Sequence, residues 1–500
     1  MHWTHKKTFR AIALSMVLAR FVIGIVLVYT LNPVSIDDYF RLFHAVWWWE
    51  HPSFTSSFVW LPGHQYIYGC VIGLTGDTLF APRVFTLVLH LLTGVTFLFY
   101  MGVGYESRLW AMAVVYFSPL SFILGTSPIT ETLAMFYLAL HGLFLTRYIE
   151  KPGITRLLWS SLFLFCACTV RYEMWLLIPV YWWQLRQISP VDASIPIKWL
   201  VLALPVLFPI VWILHGFANP DGWLEFLKGP QDDHLGPGRI WQALQSVYGW
   251  GALLFLAWAG TFFIVKHRSM PEQRFWPFAV YLATFVFALG SLATADSLPS
   301  QFTERVFFGA VIMSAIFVGD ILKGQGIMVR RVTIAAMALL ATAALAQSLR
   351  HPLGVRQDSH DVALWINEQY KTGTLTSHDH VVVSKYLPDS AAILIFSNHL
   401  DKVHIDGLKK GCVFELLSEY APSCELEGWS KKVQRIVVWK RSGEMKYVKR
   451  LKWPVVLDTS RWLVVARPRG AVFPQEGKKV HPFFENQSAG LLMGKAGAND

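Results

Sequence analysis

Stretches of about twenty apolar residues recur along the first 350 residues, and this recurrence constrains the chain more than any other feature. A helix rising about 1.5 Å per residue needs roughly 20 such residues to cross about 30 Å of hydrocarbon. Blocks that meet or approach that length fall near 11–31, 80–101, 108–125, 131–147, 157–170, 173–185, 198–216, 243–265, 275–294, 305–322 and 331–349. The expected fold class is therefore a polytopic α-helical membrane protein of about eleven transmembrane helices. Composition agrees: 54% of residues are hydrophobic and 15% charged, where soluble globular chains carry about 25% charged residues. Trp and Tyr crowd the block edges, as in Trp47-Trp48-Trp49 and Trp182-Trp183, where amphipathic rings favour the headgroup region. Lys6, Lys7 and Arg10 precede the first block. That block is too long for a signal-peptide core and lacks a small-residue cleavage site, so it reads as a retained signal anchor.

Charge sets the orientation. With the N-terminus inside, the cytoplasmic segments before residue 350 hold fifteen Lys and Arg and the opposite side holds six. This positive-inside bias, with an odd number of crossings, places the C-terminus outside. Residues 58–75 are apolar enough to cross, but they contain Pro62, Gly63 and His64. Counting them as a span would invert every later loop, so they are expected to form a re-entrant or interfacial element covered by protein. The net charge of +11 comes with no zinc-finger spacing, RNP-like strand or basic helix, which argues against a nucleic-acid partner.

After residue 350 the pattern turns soluble, giving an expected division into a transmembrane domain over 1–350, an exported α/β domain over 351–473 and a disordered tail over 474–500. Within the second domain, Asp361–Tyr370 and Val413–Tyr420 read as helices. His380–Lys385, Ala391–Ser397, Val433–Trp439 and Trp462–Arg467 read as strands. Its two cysteines, Cys412 and Cys424, would lie in an oxidising compartment and can pair as a disulfide or remain buried thiols.

Acidic residues gather on the outer side, twelve against five inside, although carboxylates contribute little to orientation. Asp37-Asp38 directly follows the first span, ahead of Arg41 and the aromatic run to Trp49. Adjacent carboxylates at a membrane surface can act as a general base for an acceptor hydroxyl or share a divalent metal ion. Asp37 can equally cap an interfacial helix over 38–50, and the two roles are compatible. On the same side lie His64, Glu131 in Ser127-Pro128-Ile129-Thr130-Glu131, Arg171 with Glu173, and Glu304-Arg305. Singly, such residues at span ends often only snorkel. Together they describe a charged cavity opening outward, with Arg171 and Arg305 suited to hold a phosphate.

The ordered set Asp37-Asp38, Trp60-Leu61-Pro62 with Tyr66, Arg83 and Pro128-Ile129-Thr130-Glu131 resembles the GT-C glycosyltransferases. The likeness is greatest to the protein O-mannosyltransferase and aminoarabinose-transferase branch, and it covers roughly residues 1–350. The second acidic residue is Asp where the family more often has Glu, and Pro62-Gly63 stands in place of Pro-Pro. The resemblance implies a polyprenyl-phosphate-linked sugar donor held in the membrane and inverting transfer at the outer face to a glycan, lipid or protein acceptor. It also implies Asp37 as the base, with Asp38 and Glu131 beside it, and Arg41, His64, Arg83, Arg171, Glu173 and Arg305 around donor phosphate or substrate. No cofactor beyond a divalent ion at Asp37 and Asp38 is called for.

A multi-span transporter or flippase is the competing class, because polar groups inside helical bundles also line substrate paths. Transporters usually show repeats and mid-span charges, whereas here only Arg20 lies inside a span. A lipid-linked glycan polymerase or ligase would share the outer-face chemistry without an acidic pair so soon after the first span. One sequon, Asn486-Gln487-Ser488, and no retention signal point to a bacterial inner membrane rather than the endoplasmic reticulum.

Overall fold

The computed structural model describes residues 2–30, 36–55, 60–100, 104–187, 195–218, 308–309, 312, 326–350, 357–384, 389–399, 402–405, 433–441 and 445–468. The chain divides into two compact units, one of residues 1–75 and 80–354, the other of residues 76–79 and 355–500. The first is helical: α1 (His2–Thr30), α2 (Ile36–Glu50), α3 (Gly63–Thr75), α4 (Phe80–Phe97), α5 (Tyr105–Phe117), α6 (Pro119–Leu124), α7 (Thr130–Glu150), α8 (Ile154–Cys168), a 3-10 turn (Tyr172–Leu176), α9 (Leu177–Gln187), α10 (Ile195–Ala218) and α11 (Ile327–Arg350). Among the described residues, five helical stretches are long and apolar enough to cross a membrane: Lys7–Thr30, Phe80–Phe97, Thr130–Glu150, Trp199–Ala218 and Ile327–Ala346.

Two of the expected spans take a different form. The block at 108–125 is not one helix: Ser118 is extended, with φ −65° and ψ 148°, and Pro119 opens α6. A residue before proline is driven out of the helical region, and proline is at home in a helical first turn. The block at 173–185 becomes the 3-10 turn followed by the 11-residue α9, whereas that at 157–170 is the single 15-residue helix α8. The expected spans at 243–265 and 275–294 lie outside the described residues, as does most of 305–322.

Helices α7 and α8 pack as a hairpin, α4 packs on α1, α5 and α7, and α10 packs on α8. Glu131 in the first turn of α7 and Arg147 in its last complement the helix dipole. Helices α2 and α3 lie against each other where glycine removes side chains: a Cβ on Gly69 would sit 2.7 Å from the Ala45 carbonyl oxygen and 2.8 Å from the Trp48 ring.

The second unit carries α12 (Gln357–Lys371), β1 (His380–Val383), α13 (Asp389–Ser397), β2 (Val403–Ile405), β3 (Val433–Trp439), α14 (Met445–Leu451), β4 (Val455–Asp458) and β5 (Trp462–Ala466). The sheet order is β2-β1-β3-β5-β4. β1 pairs in parallel with β2 and β3, and β5 pairs antiparallel with β3 and β4. Val382, Val433, Ile436, Val438, Val448, Trp453, Leu463 and Val465 form a core on one face. The expected strand over Ala391–Ser397 is instead α13. Ala391 to Phe396 are all buried, and a short run that is apolar on every side has no period by which to tell strand from helix. Asn398, at φ 52°, ends α13 in the left-handed conformation that asparagine tolerates. The expected helix Val413–Tyr420, Cys412, Cys424 and the tail 474–500 lie outside the described residues.

Candidate active site

One end of the helical unit collects the polar side chains. The C-terminal end of α1, the N-terminal ends of α4 and α7 and the C-terminal end of α8 meet there with the start of α3. Arg83, in the first turn of α4, donates through Nη2 to the Leu27 carbonyl of α1 over 3.1 Å. His64, second residue of α3, lies 2.7 Å through Nε2 from the Pro128 carbonyl just before α7. The Gly63 amide donates to the Thr169 carbonyl just past α8 over 2.8 Å. Leu61 ahead of them packs with Phe208 and Trp212 of α10.

The centre of this end is a carboxylate–guanidinium cluster. Arg171 Nη1 donates to Glu131 Oε1 at 2.5 Å and to Thr130 Oγ1 at 3.1 Å, while its Nε donates to Glu173. Thr130 Oγ1 in turn donates to the second oxygen of Glu131 over 3.3 Å. All three charged side chains are largely withdrawn from solvent. Burial by itself would lower the Arg171 pKa, but Glu173 and Glu131 more than offset it, and the net direction is upward. The cluster holds two carboxylates and one guanidinium, so it retains an excess negative charge when ionised.

Asp38 lies in the first turn of α2, 1% exposed. Its carboxylate is within electrostatic reach of Arg83 and of the Tyr68 hydroxyl, and Tyr68 also feels Glu131. Arg41 places its guanidinium 5.0 Å from the Trp60 ring centroid, a cation–π arrangement. It is close enough to contribute, after burial, to holding the His64 imidazole down to about 3. That imidazole is neutral at ordinary pH, and since a carbonyl can only accept, Nε2 carries the proton toward Pro128.

Of the residues singled out from sequence, Asp38, Arg41, His64, Arg83, Glu131, Arg171 and Glu173 are thus gathered at one end of the unit. Asp37 lies in the first turn of α2, and its side chain, like Glu304 and Arg305, lies outside what is described. Among the described residues no group of three or more His, Cys, Asp or Glu side chains comes together to hold a metal ion. The sequence marks Thr130 only as part of the segment before Glu131, and it marks neither Tyr68 nor Thr86. Thr130 binds both members of the Arg171–Glu131 pair, and Tyr68 bonds Thr86 Oγ1 at 2.7 Å. Threonine and tyrosine in apolar runs give no signal until the helices are packed.

No protein-family model and no curated protein matches the chain. Among solved structures, it is similar to ArnT from Cupriavidus metallidurans in the apo state, at 13% identity and a TM-score of 0.47, covering 91% of this chain and 97% of that one. It is similar to the same protein bound to undecaprenyl phosphate, at 14% identity and a TM-score of 0.49, over 92% and 99% of the two chains. It is also similar to the Archaeoglobus fulgidus oligosaccharyltransferase in complex with zinc and sulfate, at 14% identity and a TM-score of 0.47, over 85% of this chain and 68% of that one. Likeness at this level carries no functional argument, and the chemistry has to come from the side chains of this chain.

Proposed function

We propose that this protein is an integral membrane glycosyltransferase that moves a sugar from a polyprenyl-phosphate-linked donor to an acceptor at the outer face of a bacterial inner membrane. The observation that carries the proposal is the assembly of Asp38, Glu131, Arg171 and Glu173 at one end of an apolar helical unit. Buried ionisable groups in such a setting are costly, and their concentration marks a working site.

In the proposed reaction Asp37 removes the proton from the acceptor hydroxyl, with Asp38 beside it. The oxygen then bonds to the anomeric carbon from the face opposite the phosphate, the carbon–oxygen bond to phosphate breaks, and configuration inverts. The departing polyprenyl phosphate keeps the bonding pair and needs cationic groups at the membrane surface. Arg171 is already shared between two carboxylates, so the phosphate falls to Arg305, Arg41 and Arg83. Glu131, held by Arg171 and Thr130, presents a fixed negative charge beside the reacting sugar. If a divalent ion takes part, Asp37 and Asp38 would be the residues to hold it, and it would supply further stabilisation of negative charge.

The test is transfer by purified protein from polyprenyl-phosphate sugars, together with mass spectrometry of glycans and lipids from cells lacking it. Asp37→Asn keeps shape and removes basicity, and it should lower the rate by about 10²–10⁴ while the protein still folds. If Asp37→Asn is active, the role moves to Asp38 or Glu131; full activity in Asp37→Asn, Asp38→Asn and Glu131→Gln together sinks the enzyme assignment. Arg305→Lys should raise the Michaelis constant for donor more than for acceptor, because Lys cannot grip phosphate through two parallel hydrogen bonds.

A further inference from the structure

Two consecutive residues at the start of α3 each hold a different segment of the charged cluster. The Gly63 amide bonds the Thr169 carbonyl, two residues before Arg171, and the His64 imidazole bonds the Pro128 carbonyl, three residues before Glu131. A single dipeptide therefore ties together the two segments between which the Arg171–Glu131 contact is made.

Neither position is open to simple replacement. A Cβ on Gly63 would stand 2.7 Å from the Thr169 carbonyl oxygen and 2.9 Å from its carbon, and that obstacle is backbone, which cannot swing aside. A proline at 63 would have no N–H for the bond. The His64 ring is fixed from behind: it stacks on Tyr68, with centroids 4.3 Å apart and planes at 23°. The Tyr68 hydroxyl bonds Thr86 Oγ1 at 2.7 Å, and Thr86 spends its own proton on the Pro82 carbonyl at 2.8 Å. The ring orientation is thus anchored through Thr86 to the N-terminal half of α4, which also carries Arg83.

We infer that Gly63-His64 is a positioning dipeptide, which sets the separation of the Pro128–Glu131 and Thr169–Glu173 segments and so aims the Glu131 carboxylate at the reaction centre. His64 acts through Pro128 and Glu131 rather than on substrate. This inference rests on the glycosyltransferase reading for its kinetic consequence but not for its geometric one, and the two are tested apart.

The kinetic arm measures kcat and the donor Michaelis constant in His64→Leu and His64→Gln. His64→Leu should lower kcat by about 10–100-fold, the scale of an ångström-sized misplacement, with the donor constant changed less than about twofold. His64→Gln, which retains an amide donor able to reach Pro128, should recover most of the loss. Equal losses in the two variants, or a loss carried by the donor constant, would overturn the positioning role. The geometric arm needs no activity: melting temperatures are measured for His64→Leu, Glu131→Gln and the double variant. Groups that share one network are non-additive, so the double variant should lose less than the sum of the single losses, and additivity overturns the inference. If His64→Leu does not fold, Tyr68→Phe, which removes only the hydroxyl behind the ring, enters both arms with the same expectation at smaller amplitude. Should the wild-type protein transfer no sugar from any polyprenyl-phosphate donor while the geometric coupling persists, the proposed function fails and the positioning of Glu131 stands.

Discussion

At the scale of single residues, Arg171 organises the site, because one guanidinium donates to two carboxylates and a threonine hydroxyl. Glu131 is 3% exposed and Glu173 7%, so Arg171→Leu would remove a buried counter-charge that both carboxylates share. Breaking a buried pair from one side costs about 3–5 kcal/mol, and denaturant titration of the purified protein should show a loss of that order. Arg171→Lys keeps the charge but presents it at one point, which cannot serve Glu131, Glu173 and Thr130 together. Its stability should fall between wild type and Arg171→Leu. An Arg171→Leu variant as stable as wild type would refute the cluster. The acidic pair, Glu131, Arg171 and Glu173 could all be picked out in the sequence as charges at the ends of apolar runs. Their contacts could not, since Glu131 and Arg171 are forty residues apart and meet only through the packing of α7 on α8.

Among the elements, α3 shows how glycine decides a packing that hydropathy leaves open. Residues 58–75 read as a possible crossing on composition, yet α3 has 13 residues and lies along α2 through Gly69. Gly69→Ala would force a methyl against the Ala45 carbonyl, and overpacking of this kind costs about 1–3 kcal/mol. Gly153, at the N-cap of α8 with nothing within 4 Å of its would-be Cβ and an extended backbone, is the internal control. Gly153→Ala should change the melting temperature much less than Gly69→Ala, because the gain from a less flexible unfolded chain is offset by alanine being a poorer N-cap than glycine. If the two alanine variants melt alike, α3 does not seat on α2 as described. The break at Ser118-Pro119 was also legible in principle, since proline is visible in sequence. The apolar run around it outweighed that signal in the reading of a single span.

For the whole molecule, the orientation drawn from basic residues predicts that reporter fusions after residues 155, 270 and 327 stay cytoplasmic and that those after 230 and 360 are exported. An exported fusion at 270 would overturn it. Within the helical unit, residues assigned to one side do meet one another. Glu106 and Arg330, which the basic asymmetry puts on the cytoplasmic side, form a 2.7 Å ion pair between the starts of α5 and α11, while Glu131, Arg171 and Glu173, which it puts on the outer side, join where α7 begins and α8 ends. The same orientation predicts that the second unit is exported, which would place Cys412 and Cys424 in an oxidising compartment. A disulfide closing that loop would stabilise it by roughly 3 kcal/mol in the chain-entropy model. Thiol labelling under denaturing conditions should then require reductant at both positions, and labelling of both without reductant would exclude the bridge.

The membrane class of this protein and the five apolar helices described can be read from hydrophobic length, which is a local sum over residues. The sequence also marked β1, β3 and β5, where β-branched residues cluster between turn signals. That Ala391–Ser397 is helical comes from packing, since a short run buried on every side carries no period. Only packing, likewise, decided that Gly63 and His64 hold the two acidic segments together. Hydrogen bonds from an amide to Thr169 and from an imidazole to Pro128 end on backbone carbonyls, and a carbonyl is the same group at every position until the fold selects which one is within reach.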